Sequence, residues 1–248
     1  MLIDEGSGQF QCDILVFDSS GILIYQHPTR SKEHAVPLFS ALLSLAIEMK
    51  LGSVTRIDFE KTVAYLVAGL RNSTLIVAVL SPSYDPRYLI FATYITEKID
   101  EKIKLVPGVV VKEDIQVVSE IVSRLIKVCG KLEDFITDTL TKVVEGFVMP
   151  ITAIGIMKLI SSMRQLPTIL LISNPLEFKR CLIELLGLTM ANNLIKKFFD
   201  TLSEKYGLVN LDELEQAFIA CKDEKSCKFI IRELIKRLID RIMEIDQL

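Results

Sequence analysis

The stretch His34–Leu51, HAVPLFSALLSLAIEMKL, decides the fold, because it predicts a helix that is apolar on almost every side. Its interior polar residues Ser40, Ser44 and Glu48 are spaced four apart and form one narrow stripe along that helix. A helix that packs on a sheet needs only one apolar face, so a second surface must cover this one. We expect neighbouring strands on one side, and either the C-terminal half of the chain or a separate protein on the other.

Short apolar runs on both sides of this helix predict an antiparallel sheet. Before it, Cys12–Phe17 and Ile22–Tyr25 are joined by Asp18-Ser19-Ser20-Gly21, which is typical of a hairpin. After it, short polar turns separate three runs that predict a meander of strands: 54–59, 62–70 and 73–80. The apolar periodicity that follows predicts two more helices, at 87–104 and 113–129.

From residue 130 the chain is predicted to be mostly helical. The apolar run Leu166–Ser173 predicts either a buried strand or an extended connector. Asn174 is expected to cap one helix, and Asn210 with Glu213 is expected to form a capping box for another. The predicted helices are 132–144, 150–163, 175–186, 189–206, 211–221 and 225–245.

The last of these helices carries a heptad pattern of isoleucine and leucine. Further apolar residues beside the seam make it wider than a coiled-coil seam, which favours a bundle helix over a dimerising zipper. The seam residues are Ile231, Ile235, Leu238, Ile242 and Ile245.

The order of the elements, two strands, a helix, three strands and two helices, is that of the longin fold. Residues 12–129 resemble a longin-like domain, of the profilin-like and roadblock-related kind, through the DSSG hairpin, the long first helix and the strand pair YLVAG (65–69) and LIVAVL (75–80). The predicted fold class is therefore α/β (α+β): a five-stranded antiparallel longin-like sheet with flanking helices in residues 1–129, then a mostly α-helical domain in residues 130–248. A roadblock domain would place a helix before its first strand, and only eleven residues precede Cys12.

The resemblance to longin domains implies recognition rather than catalysis. Such domains occur in vesicle-trafficking and GTPase-regulating proteins, where they pair with longin or roadblock subunits or bind small GTPases. The resemblance implies a non-enzymatic adaptor whose partner is one of these proteins or a second copy of the chain. The expected partner-binding residues are Leu38, Leu42, Leu45 and Met49 on the first helix, with Tyr84 and Arg87 in the loop after the last strand.

Two alternatives stay open beside this interpretation. The loop containing Tyr84 and Arg87 also has the residues that a turn and a helix cap require by themselves. A protein of another class, a ligand-sensing regulator, would bind a small molecule in the α/β domain and dimerise or signal through its helical half. A saturable shift in melting temperature with a metabolite would favour the regulator.

The chain contains none of the motifs that mark common catalytic or nucleotide sites. GxxxxGK[ST], HExxH, GxSxG and zinc-spaced cysteines are all missing from the sequence. His27 and His34 flank one loop without a third ligand nearby, and Asp13 and Asp18 project from opposite faces of a regular strand. No cofactor, metal site or catalytic residue is therefore predicted.

Charge and hydropathy restrict the class of partner. With 29 basic and 32 acidic residues the formal net charge is −3, which does not favour nucleic-acid binding. The mean hydropathy is high, at +0.39, but the most apolar long window, 146–157, is shorter than the roughly twenty residues of a membrane span. The expectation is a cytoplasmic protein with no transmembrane segment, for which peripheral membrane association remains open.

Five cysteines without CxxC spacing predict reduced thiols, although Cys221 and Cys227 could form a bridge after oxidation. The chain lacks tryptophan, has few asparagines and uses isoleucine, leucine, lysine and glutamate heavily. This composition leans towards a thermophilic source.

Overall fold

The computed structural model describes residues 12–28, 34–50, 54–71, 74–82, 84–85, 87–147 and 167–245. The chain divides into two compact units, Met1–Lys127 and Val128–Leu248. The described part of the first unit contains a five-stranded antiparallel sheet with helices, and that of the second is helical. The predicted α+β class with a following helical part is therefore confirmed.

The sheet is built from a hairpin and a meander, as predicted. Its order is β2-β1-β5-β4-β3, and every neighbouring pair is antiparallel. The central strand is the most apolar one, and all of its residues are buried. Pairing of the first strand with the fifth joins the hairpin to the meander. The strands are β1 (Asp13–Asp18), β2 (Leu23–His27), β3 (Arg56–Phe59), β4 (Thr62–Ala68) and β5 (Leu75–Ser81).

Helices pack on both faces of this sheet. The helix α1 (Ala35–Glu48) packs on one face, where the Phe39 ring lies 6.4 Å from that of Phe17. The helix α2 (Arg87–Lys102) packs against β4 and β5, and its Tyr88 ring stacks on Tyr65 with 6.2 Å between the ring centres. Successive residues of a strand face opposite sides, so β4 can contribute to the core on each face.

The next element, α3 (Lys112–Phe147), is one continuous helix. The sequence interpretation was wrong here, because it expected two helices, 113–129 and 132–144, separated at Gly130. The helix is continuous because its buried stripe runs on through this position, with Leu125, Cys129, Leu132 and Ile136 all buried. Glycine costs a helix interior only about 1 kcal/mol, which is less than the gain from burying several large side chains. Both the boundary between the two units and the predicted domain boundary after residue 129 fall inside this helix.

The rest of the second unit is a helical bundle in its described residues. The last helix contacts the four before it, and the seam residues Ile231, Ile235, Leu238 and Ile242 are buried. That helix is therefore a bundle helix whose seam lies inside the chain. The helices are α4 (Pro167–Ser173), α5 (Pro175–Leu186), α6 (Leu188–Tyr206), α7 (Asp212–Ala220) and α8 (Glu224–Ile245).

Two local predictions in this unit were wrong, and one lies outside the described residues. The run 166–173 was expected to be a strand or a connector, but its described residues, Pro167–Ser173, form the helix α4. The capping box of Asn210 and Glu213 does not form: Leu211 is the N-cap of α7 without a side-chain cap bond, and Asn210 adopts a left-handed backbone with φ of 58°. The predicted helix at 150–163 falls outside the described residues. By contrast, α5 begins directly after Asn174 and ends before Gly187, as predicted.

Candidate interaction surface

The helix α1 carries two apolar stripes. The inner stripe contains the buried residues Val36, Phe39 and Ala46 and packs on the sheet. The second, which we call the outer stripe, consists of Leu38, Leu42, Leu45 and Met49, with spacings of four, three and four residues. At about 100° per residue, the outer stripe lies roughly 110° around the helix from the inner one. The sheet therefore covers only part of the apolar surface of α1.

The outer stripe is accessible over much of its area. Leu38, Leu45 and Met49 are 47%, 50% and 58% exposed, and Leu42 is half-buried. No charged residue occurs between Ala35 and Ile47, so the stripe is not crossed by charge. Single exposed leucines are ordinary, but a contiguous exposed apolar surface is typical of an interaction site. The structure thus brings together the four partner-binding residues predicted on this helix.

Hydrogen bonding holds α1 against the turn between β1 and β2. The Ser40 hydroxyl donates to the carbonyl oxygen of Ser19 at 2.9 Å. Gly21, in the same turn, has φ of +87°, and a Cβ built there would lie 3.5 Å from Cβ of Ser40. The turn can approach the helix this closely because glycine adopts the left-handed conformation without strain. The first serine of the polar stripe therefore has a structural role.

The predicted loop residues Tyr84 and Arg87 behave differently from each other. The Arg87 guanidinium forms a 2.6 Å ion pair with Asp85, and both side chains are largely buried. Asp85 also accepts a bond from the backbone N–H of Arg87 at 2.9 Å, and its own N–H donates to the Tyr65 hydroxyl at 2.7 Å. Arg87 therefore takes part in the turn and cap that begin α2. Tyr84 is exposed, with the Arg56 guanidinium 4.5 Å from its ring centre.

Burial keeps the phenol of Tyr65 neutral. Desolvation raises its pKa to about 12, although the bond from the Asp85 N–H acts in the opposite direction. A neutral phenol oxygen accepts the N–H of Asp85 and stabilises the loop before α2. Its role is structural at any physiological pH.

A small cavity of about 180 Å³ lies between α6 and α7. Ligand pockets are typically larger, from roughly 300 Å³, and mostly apolar. This cavity lies in the second unit, whereas the ligand-sensing alternative places its ligand in the α/β domain, so the cavity gives that alternative no support. It is lined by Phe199, Asp200, Ser203, Glu204, Leu211 and Asp212.

The described residues contain neither a cluster suited to a metal ion nor a membrane-spanning helix. In the described part of the chain, no group of three or more His, Cys, Asp or Glu side chains could hold a metal ion. Within the same ranges, no helix is both long and apolar enough to cross a membrane.

The second unit contains a disulfide next to a buried lysine, and the sequence interpretation missed the lysine. Cys221 and Cys227 form a disulfide with their Cα atoms 5.8 Å apart, so the expectation of reduced thiols was wrong for this pair and the bridged alternative applies. The Lys179 ammonium donates to the carbonyl oxygens of Phe218 at 3.1 Å and Cys221 at 2.9 Å, and also to that of Ile219. Burial lowers the pKa of Lys179. The spacing of the cysteines was a signal for the bridge, but nothing in the sequence marks this lysine.

Comparisons with protein-family models, with curated proteins and with solved structures found no match to this chain. The order of elements and the sheet order β2-β1-β5-β4-β3 are therefore observations on this chain alone. Any assignment to a family, the longin-like one included, is a proposal based on them.

Proposed function

We propose that this chain is a non-enzymatic adaptor with a longin-like first unit, and that the outer stripe of α1 binds a protein partner. The partner is a small GTPase or another longin or roadblock subunit, in a complex that serves trafficking or regulates a GTPase. The protein acts in the cytoplasm, and its contact with membranes is peripheral. The observation that carries the proposal is the exposure of Leu38, Leu45 and Met49 on a helix whose other face is already packed on the sheet.

The chemistry of the outer stripe supports an apolar partner surface. Aliphatic side chains at spacings of four, three and four residues are suited to packing against a second helix or an aliphatic groove. Without charge between Ala35 and Ile47, electrostatic steering contributes little to docking there, and affinity comes from apolar burial. The polar contacts would then come from the rim of the interface, which includes Ser44 and Glu48.

The decisive experiment is an affinity pulldown from the source organism with the full-length chain and a variant of the outer stripe. In Leu38→Asp/Leu45→Asp, two carboxylates would have to be buried without partners, so the affinity should fall by roughly a hundred-fold or more. The matched control is Val209→Asp, which places a carboxylate on an exposed aliphatic position of the second unit. We expect wild type and control to retain the same GTPase or longin or roadblock chain, and the variant to lose it.

Three results would count against the proposal. Loss of folding in the double variant, seen by circular dichroism, would show that the outer stripe is internal core. Retention of the partner by a folded variant would place binding elsewhere. If the wild type is a monomer in light scattering and captures no such partner in the pulldown, the proposed adaptor function is contradicted.

A further inference from the structure

A second exposed apolar surface lies where three connections of the first unit meet. These connections are the β1–β2 turn, the β4–β5 turn and the loop between α2 and α3. We call this surface the tip and define it by five aliphatic residues: Ile22, Leu70, Val106, Val109 and Val111. It is separate from the outer stripe, with which it shares no residue.

Hydrogen bonds from backbone N–H groups place the three connections together. The Asp18 carboxylate accepts bonds from the N–H of Ile22 at 2.8 Å and from that of Gly108 at 2.7 Å, which joins the β1–β2 turn to the α2–α3 loop. The N–H of Ser19 donates to the carbonyl oxygen of Thr74 at 2.8 Å, which joins the same turn to the start of β5. The tip is therefore a fixed arrangement rather than three independent loops.

Two further bonds complete this arrangement. The N–H of Arg71 donates to the Asp100 carboxylate, near the end of α2, at 2.6 Å. The N–H of Val109 donates to the carbonyl oxygen of Val106 at 3.0 Å and closes the turn that presents both valines. These contacts satisfy backbone groups while leaving the aliphatic side chains outside.

Three of the five aliphatic side chains of the tip lie mostly in solvent. Leu70 is 89% exposed, and Val106 and Val109 are each more than half exposed. Exposing several large aliphatic side chains on one hydrogen-bonded scaffold is costly in water, and such surfaces are typical of interaction sites.

The charged side chains around the tip indicate the kind of surface that the tip binds. Four exposed cationic side chains lie beside the aliphatic ones in sequence: Arg71, Lys102, Lys104 and Lys112. The acidic side chains in the same segments are the exposed Glu101 and Glu113, the half-buried Asp114, and the buried Asp18 and Asp100, which accept the backbone N–H bonds of this arrangement. Among the exposed charged side chains of the tip, the four cations therefore outnumber the two carboxylates, whereas the whole chain has a net charge of −3.

We propose that the tip binds an anionic lipid surface. The aliphatic side chains would enter the boundary between headgroups and acyl chains, while the lysines and the arginine contact anionic headgroups. Aliphatic residues at the centre with flexible lysines beside them are suited to this boundary, because lysine can bury its stem and keep its ammonium in water. The proposal gives a surface to the peripheral contact proposed above, and it is tested on the purified chain without any protein partner.

The experiment is co-sedimentation of the full-length chain with vesicles. One set contains equal parts of phosphatidylcholine and phosphatidylserine, and the other contains phosphatidylcholine alone. We expect the wild type to bind the anionic set only. Each cation near an anionic surface contributes about five-fold in affinity, so Lys102→Gln/Lys104→Gln should bind roughly 25-fold more weakly. Leu70→Ser/Val106→Ser should bind at least ~ten-fold more weakly, because both lose apolar contact with the acyl boundary.

Matched controls separate this proposal from the adaptor function. Lys127→Gln and Val209→Ser change an exposed lysine and an exposed valine outside the tip and should bind vesicles like the wild type. The adaptor variant Leu38→Asp/Leu45→Asp should also keep vesicle binding, and the tip variants should keep the protein partner.

The proposal is overturned by any of three outcomes. The wild type binds neither vesicle set; or it binds both sets equally; or the tip variants, shown to be folded by circular dichroism, bind anionic vesicles like the wild type. A tip whose variants lose a protein partner while the wild type ignores vesicles would be a protein-binding surface instead.

Discussion

The carboxylate of Asp18 accepts a hydrogen bond from the backbone N–H of Gly108 at 2.7 Å, across a sequence separation of 90 residues. Its other oxygen accepts bonds from the N–H of Ser20, the hydroxyl of Ser20 and the N–H of Ile22. One buried side chain therefore organises the β1–β2 turn and also fixes the loop between α2 and α3. Both the closed turn and the presentation of the tip depend on it.

Replacing this residue should destabilise the chain. In Asp18→Ala, the N–H groups of Ile22 and Gly108 lose their acceptor, and the loss of such charge-assisted bonds should cost about 3 kcal/mol of unfolding free energy. Urea unfolding would measure the change, with Glu48→Ala, at an exposed position of α1, as a control of near-zero effect. A change of the same small size in both variants would contradict the role assigned to Asp18.

The contribution of Asp18 should depend on pH. Burial acts to raise the pKa of its carboxyl, but the bonds from Ser20, Gly108 and Ile22 outweigh burial and hold the pKa below its ordinary value. A group with a lowered pKa in the folded state stabilises above its unfolded value, about 3.9, and that stabilisation is lost as the pH falls through the folded value. The difference in unfolding free energy between wild type and Asp18→Ala should be constant above about pH 5 and shrink below about pH 4. A difference independent of pH would contradict the assignment.

Removing the disulfide should weaken the second unit. The bond between Cys221 and Cys227 closes a loop with a sequence separation of 6, for which the chain-entropy relation gives about 2 kcal/mol. The variant Cys221→Ser/Cys227→Ser should unfold at lower denaturant concentration than the wild type. Dithiothreitol should lower the stability of the wild type and leave that of the variant unchanged. Equal effects on both proteins would show that the reagent does not act through this disulfide.

The buried ammonium of Lys179 caps the end of α7. The variant Lys179→Met keeps an unbranched apolar side chain, but the carbonyl oxygens of Phe218 and Cys221 lose their hydrogen-bond donor. We expect a loss of about 2 kcal/mol in thermal or denaturant unfolding, the usual scale for buried groups left unpaired. Lys197→Met, at an exposed position of α6, is the control. A gain in stability would mean that the cost of burying the charge exceeds the value of its hydrogen bonds.

The outer stripe should tolerate polar substitution in the isolated chain. Because Leu38 and Leu45 are half exposed, Leu38→Asp/Leu45→Asp should change the unfolding free energy by no more than about 1 kcal/mol. The matched core variant is Phe39→Ala, which should cost about 3–5 kcal/mol because that ring is fully buried. Similar losses of unfolding free energy in the two variants would show that both stripes of α1 are equally part of the core.

Several elements could be predicted because their signals are local. Alternation of apolar residues, the DSSG turn and the cap residue Asn174 all act within a few residues, and the structure has the corresponding strands, turn and helix start. The errors occurred where a local signal competed with packing. Gly130 lowers helix propensity but lies in a helix with a continuous buried stripe, and the run 166–173 has an apolar pattern that suits a strand or a helix equally.

The capping box at Asn210 failed for a related reason. The sequence has the residue types that such a box needs, but Asn210 adopts a left-handed backbone, and its carbonyl oxygen accepts a bond from Arg237 of α8 at 2.8 Å. A distant arginine therefore contacts the connection between α6 and α7. A short sequence window contains no information about such a contact.

By itself, the sequence determined the class of fold and the apolar character of α1, because periodicity, turn residues and hydropathy act over neighbouring positions. The tertiary structure decided which side of α1 the sheet covers, since the inner stripe is defined by the pairing of β1 with β5 and by the core that the paired strands form. It also decided that Asp18 meets Gly108, that Cys221 meets Cys227 and that Lys179 reaches the end of α7. These contacts depend on how whole elements pack, and that packing is governed by the burial of the entire core rather than by any single segment.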